Sequence, residues 1–209
     1  MIVSEPTAAT ADNADAESRE HSRRRLNTTD LALVAAFAAL IGALAFIGAI
    51  PVGGAGVPIT LQTLGVALAG AILGPLRGFL AVLLYLGLGA IGLPVFAEHS
   101  AGLGAFTGVS AGYLLAFPLS AALIGYLVKY VLRDRRTSAL WVFLAIAAGS
   151  VLVVHPLGIT WMKFHQDVPW TVAASWDLPF WLGDLVKTAI AAIIAAEVHR
   201  AFPALLKRA

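Results

Sequence analysis

Apolar positions in this chain fall into blocks rather than stripes. From Leu31 onward, long runs of Ala, Leu, Ile, Val and Phe are broken only by short clusters of Gly, Pro or charge. A span needs about 20 apolar residues to cross a hydrocarbon core of about 30 Å. Six segments read as spans: 31–50, 58–73, 76–93, 112–132, 139–160 and 178–196. Pro51 with Gly53 and Gly54 ends the first, and Gly74-Pro75 divides the second from the third. Asp177 reads as the N-cap of the sixth, with Pro179 in its first turn. The prediction is an all-α, polytopic integral membrane protein with six transmembrane helices over residues 29–209. Residues 1–28 form a tail of Ala, Ser, Thr, Asp, Glu and Arg, too polar to bury a core and expected to be disordered.

Composition sharpens this class. Hydrophobic residues make up 59% of the chain and charged residues 12%, about half the charged share of a soluble domain. Between Leu31 and Tyr130 the only Lys, Arg, Asp or Glu residues are Arg77, Glu98 and Lys129. There is no cysteine, which excludes disulfides, thiol catalysis and thiolate metal sites. The pI of 9.2 comes from Lys and Arg beside apolar runs, a pattern of membrane orientation rather than of nucleic-acid binding. Arg23–Arg25, Arg77, Arg133, Arg135, Arg136, Arg200, Lys207 and Arg208 fall on one set of connections and ends, and only Lys163 on the other. Excess positive charge marks the cytoplasmic side. Both termini are therefore expected inside, in a prokaryotic cell membrane.

Against this apolar background the polar residues stand out. Asp184 and Lys187 are the only charges between Leu178 and Ala196, and their spacing of three puts them on one helix face. Ionisable groups at membrane depth are costly and usually serve a ligand or a pathway. Walled by Phe180, Trp181 and Leu185, the pair can hold a small polar solute approached from outside; the other reading is a buried ion pair that staples two helices. The segment Pro94–Gly112 is long and glycine-rich, open either to ligand contact and lid movement or simply to close helix packing. Trp170 and Trp176 read as an interfacial belt, and His155, before Pro156, as a buried hydrogen-bonding residue. Span one carries small residues at Ala32, Ala35, Ala36, Ala39 and Ala43, a stripe that fits close packing within the chain or against a partner helix. No Lys follows a Gly, so a nucleotide-binding G-x-x-x-x-G-K-[ST] loop is absent. Nothing calls for a metal or a cofactor, and an enzyme is disfavoured.

Five stretches carry a resemblance. They are Val57-Pro-Ile-Thr-Leu-Gln-Thr-Leu-Gly65, Leu73-Gly-Pro-Leu-Arg-Gly78, Tyr85-Leu-Gly-Leu-Gly-Ala-Ile-Gly-Leu-Pro-Val-Phe-Ala97, Gly112-Tyr-Leu-Leu-Ala-Phe117 and Pro179-Phe-Trp-Leu-Gly-Asp-Leu-Val-Lys187. In order and content they resemble the BioY family, the biotin-specific substrate-binding (S) components of energy-coupling factor (ECF) transporters. One departure is Gly108-Val-Ser-Ala-Gly-Tyr113, where the family usually has Gly-Pro-Thr-Gly-Gly-Tyr. The resemblance implies a membrane subunit that captures biotin from outside. It is energised by a transmembrane T component and two ATP-binding-cassette ATPases, with no nucleotide site of its own. It implies that Asp184 and Lys187 line the biotin pocket. Gln62, Thr60, Tyr85, Phe96, Ser110 and Tyr113 are expected near it, with Phe96 and Trp181 over the apolar part of the ligand. It also turns the alanine stripe toward docking the T component. The alternatives are a self-sufficient secondary carrier for biotin and an S component for another vitamin.

Overall fold

The computed structural model describes residues 26–50, 52 and 54–206, and its regular structure there is helical apart from one antiparallel bridge between Ile50 and Ile59. Nearly all of the expected tail lies outside the described residues, as do Lys207 and Arg208. The helices are α1 (Thr28–Phe46), α2 (Gln62–Leu73), α3 (Pro75–Ala90), α4 (Ala111–Tyr126), α5 (Ala139–Gly149), α6 (His155–His165) and α7 (Trp170–Ala201). A π turn, Leu127–Val131, extends α4, and a second, Ser150–Val154, joins α5 and α6 into one rod. Pro156 accounts for the second turn. It lacks the N–H that would close an α-type bond to residue 152, so the chain widens locally.

Each of the six predicted apolar segments contains helix. Four stretches are long and apolar enough to cross a bilayer: Thr28–Phe46, Ala111–Val131, Ala139–His165 and Trp170–Ala201. Helices α2 and α3 are apolar but shorter. From Gly65 to Leu73 every residue of α2 is buried, and this helix touches α1, α3, α4 and α7. At 1.5 Å per residue it is about 18 Å long. Its irregular approach is tolerated because it is packed against protein rather than lipid.

Two boundaries differ from the sequence reading in ways that shape the site. The second segment becomes helical only at Gln62, leaving the chain before it non-helical. The sixth begins at Trp170 rather than Leu178, so Asp177 and Pro179 lie inside α7. Asp177 is therefore no N-cap. Its carboxylate is fully buried at 0% exposure, and its hydrogen-bond donors come largely from other helices.

At the far end of α2, Gly74 adopts φ +85°, a conformation open to glycine, and Pro75 starts α3 at once. Gly125 of α4 packs onto this elbow, where a Cβ would come within 2.4 Å of Gly74. The first turn of α1 is closed by a capping box: Asn27 Oδ1 accepts from the Asp30 amide at 2.8 Å and Asp30 Oδ2 from the Asn27 amide at 3.0 Å. Asp30 also holds Arg77, Nη1 to Oδ1 at 2.9 Å. Arg77 is thus not a free loop charge: it is 2% exposed. Its Nε and Nη2 donate to the carbonyls of Leu73 (3.0 Å) and Leu205 (2.7 Å). One guanidinium binds the start of α1, the end of α2 and the segment after α7.

The small-residue stripe of α1 faces away from the bundle. Ala32, Ala35, Ala36, Ala39 and Ala43 are exposed, while Val34, Ala38, Ile41 and Ala45 turn inward. Packing among the described residues does not use the stripe.

Candidate functional site

The non-helical chain before α2, the Phe96–Ser110 loop, α4 and α7 enclose a cavity of about 740 Å³ including its open mouth. Phe96, Phe117, Phe180, Val57 and Val154 line it with apolar surface, and Thr60, Gln62, Thr63, Ser110, Asp184 and Lys187 with polar groups. Buried within apolar walls, such groups are held in place rather than solvated, which suits them to orienting a small ligand.

Asp184 and Lys187 sit on successive turns of α7, 8% and 7% exposed. Lys187 Nζ lies 2.5 Å from Asp184 Oδ1 and donates to the Thr60 carbonyl at 3.0 Å. That carbonyl is available because Thr60 precedes the helix. Thr63 Oγ1, in the first turn of α2, donates to the same Asp184 Oδ1 at 2.9 Å. Asp184 Oδ1 thus receives two donors. Among the described residues, Oδ2 faces only His155 Nε2, at 3.6 Å, too far for a direct hydrogen bond. Oδ2 therefore retains the accepting capacity of the carboxylate.

A second polar cluster stands behind the first. His155 Nδ1 lies 3.0 Å from Asp177 Oδ1 and 2.8 Å from Oδ2. Tyr113 donates its hydroxyl to Asp177 Oδ1 at 2.6 Å, and Trp181 its indole N–H to Oδ2 at 2.7 Å. Tyr113 comes this close because its ring rests on Gly158, where a Cβ would be 2.2 Å from the ring edge. The ring also packs on Phe180, centroids 5.7 Å apart.

Of the nine residues expected near a ligand, seven line the cavity: Asp184, Lys187, Gln62, Thr60, Phe96, Ser110 and Tyr113. Two do not. Trp181 is 43% exposed; its indole is drawn back one turn to Asp177 and stacks on His155 (4.5 Å, 17°). Leu185, expected in the same wall, is exposed as well. Tyr85 is buried behind Gln62, whose amide nitrogen donates to the Tyr85 hydroxyl at 2.5 Å. Thr60 Oγ1 in turn donates to Gln62 Oε1 at 2.6 Å, so Tyr85 supports the wall from the rear. Phe96 meets Tyr85 edge to face at 5.6 Å.

The glycine-rich loop borders the cavity through Ala97, Ser100, Ala105, Gly108 and Ser110. Trp161 anchors it by donating its indole N–H to the Gly108 carbonyl at 2.9 Å. Trp176 covers Gly54, while Trp170 is 52% exposed. Sequence reasoning did not single out Thr63, Phe117, Val154 or the role of Asp177. Thr63 lay inside a quoted motif, and Asp177 precedes Asp184 by seven residues, a spacing that returns to the same helix face.

Comparison with known proteins agrees with this architecture. The BioY family model matches residues 17–204. The biotin transporter BioY of Rhodobacter capsulatus is 42% identical over 187 residues, spanning 85% of this chain and 96% of that protein. The biotin transporter BioY of Rhizobium etli is 37% identical over 187 residues, spanning 88% and 100%. Among solved structures, the S-component for biotin from an ECF-type ABC transporter superposes with a TM-score of 0.79 at 29% identity, covering 84% of this chain and 95% of that one. These relatives are transporters, not enzymes. With a family match over most of its length and two relatives alike almost end to end, the chain belongs to the BioY family.

Proposed function

We propose that this protein is the membrane-embedded S component of a biotin uptake system, binding biotin in the cavity floored by Asp184 and Lys187. The observation that carries this reading is the buried Asp184–Lys187 pair at an open, apolar-walled cavity, in a chain whose relatives are biotin transporters. The chemistry supports it. The only N–H donors of biotin are the two of its ureido ring, so a carboxylate at Asp184 meets that end of the ligand. Lys187 spends donors on Asp184 and Thr60 and keeps capacity for one acceptor more. Phe96, Phe117 and Phe180 suit the thiophane ring and the valeryl chain.

In this reading the six apolar segments are six crossings with both termini in the cytoplasm, as the Lys and Arg distribution favours. The cavity then opens to the outside of the cell membrane. Equilibrium binding of biotin, riboflavin and thiamine to purified protein, followed by tryptophan fluorescence, tests the substrate. Saturable binding of biotin alone is expected; a saturable response to another vitamin with none to micromolar biotin overturns the assignment.

Energisation comes from a separate T component and cassette ATPases, and the exposed alanine stripe of α1 is the proposed docking surface. Small residues there allow a partner helix close approach. Ala39→Trp is expected to lower biotin uptake at least tenfold in cells carrying the whole transporter, while the Kd of the purified subunit stays within twofold. Undiminished uptake removes the stripe from the interface.

A further inference from the structure

Asp177, Asp184 and Lys187 succeed one another along one face of α7, and the imidazole of His155, from α6, lies between the two carboxylates. This ring is held on several sides. Asp177 takes Nδ1, and Asp177 is itself fixed by Tyr113 and Trp181. Trp181 also stacks on one ring face. Side-chain freedom is therefore largely gone before any ligand arrives, with His155 2% exposed and Asp177 0%. The remaining ring nitrogen, Nε2, points at Asp184 Oδ2, the oxygen that Lys187 and Thr63 leave open.

We propose that His155 is the positioning residue of the binding site. Clamped by Asp177, it turns Nε2 toward Asp184 Oδ2 and fixes the carboxylate plane, so that the free lone pair of Oδ2 faces the N–H group of the ligand. Each ring nitrogen faces a carboxylate, Nδ1 within hydrogen-bond distance of Asp177 and Nε2 3.6 Å from Asp184 Oδ2, so the ring fills the gap between two like charges on one helix face. A carboxylate oriented in advance binds more tightly than one that must be ordered by the ligand. The inference rests on the reading of biotin as ligand.

Two amides separate the roles of the two nitrogens. The amide nitrogen of His155→Asn falls near Nδ1 and keeps the contact with Asp177. That of His155→Gln falls near Nε2 and keeps a polar N–H group beside Asp184 Oδ2. Biotin affinity is measured by saturation binding of radiolabelled biotin to purified, folded protein, beside the wild type. His155→Gln is expected to stay within about threefold of the wild type, and His155→Asn to weaken binding at least tenfold. A ring that merely cements α6 to α7 through Asp177 predicts the reverse ranking. Retained affinity in His155→Asn, or equal losses in both variants, overturns the proposal. If His155→Gln does not fold, a double-mutant cycle of His155→Asn with Asp184→Asn reads the same link. The second substitution is then expected to cost at least fivefold less in the background of the first, and additive losses overturn the proposal. Failure of the wild type itself to bind biotin sinks the substrate assignment instead, and is seen in the same assay.

Discussion

Lys187→Ala is expected to weaken biotin binding at least 100-fold, about 2.8 kcal/mol at the conversion of 1.4 kcal/mol per tenfold. The substitution does more than remove a ligand contact. Among the described residues it leaves Asp184 with Thr63 as its one close donor and strips the Thr60 carbonyl of its partner. A buried charge left without its counter-ion costs several kcal/mol, and the side chains relax to relieve it, which displaces the oxygen that would meet the ureido ring. Asp184→Ala is expected to lose a similar amount from the opposite side, since Lys187 then has only Thr60 to hold it. Membrane insertion survives both changes because the stretch from Leu178 to Ala196 is otherwise apolar. Saturation binding on purified variants, beside their yield in membranes, checks the pair. Near-native affinity in both would return Asp184 and Lys187 to the role of a staple between helices.

The second large effect lies at the opposite end of α2. Arg77→Ala takes the counter-ion from the buried Asp30 carboxylate and a donor from the carbonyls of Leu73 and Leu205 in one step. Loss of one partner of a buried ion pair costs about 3–5 kcal/mol. The variant is expected to lose its folded peak in size-exclusion chromatography after heating to temperatures that the wild type withstands. Asp30→Asn combined with Arg77→Met should recover much of the loss, because no unpaired charge is then buried. The biotin Kd of protein that does fold is expected to stay within twofold, since Arg77 does not line the cavity. Unchanged heat resistance in Arg77→Ala would show that the guanidinium contributes nothing to cohesion.

What the chain made legible follows from what is local. Apolar blocks punctuated by Gly and Pro announce the helical segments, and a three-residue spacing is enough to align Asp184 with Lys187. The glycine-rich loop left ligand contact and close helix packing both open, and its residues border the cavity. The start of α7 was misread because Asp177 and Pro179 look like a cap and a first turn. The helix continues through them because Tyr113 and His155 satisfy the carboxylate from α4 and α6. No hydropathy window contains those partners. Trp181 was misplaced for the same reason: its aromatic character suggested a wall, but its N–H follows Asp177. The late start of α2, at Gln62, was equally hidden. It exposes the Thr60 carbonyl to Lys187, a main-chain contribution that no side-chain pattern announces.

The π turn at Ser150–Val154 has a consequence for how this protein tolerates insertions and deletions. A π turn amounts to one extra residue accommodated in a helix, and each residue of an α-helix turns the chain by about 100°. Losing one residue from that turn would wind the rod into a regular helix and leave what lies beyond it nearly in phase, whereas losing a second would rotate everything beyond it by that angle. The imidazole of His155 would then swing out of the gap between Asp177 and Asp184. The length of this stretch, more than the identity of its apolar side chains, keeps α6 in phase with α7.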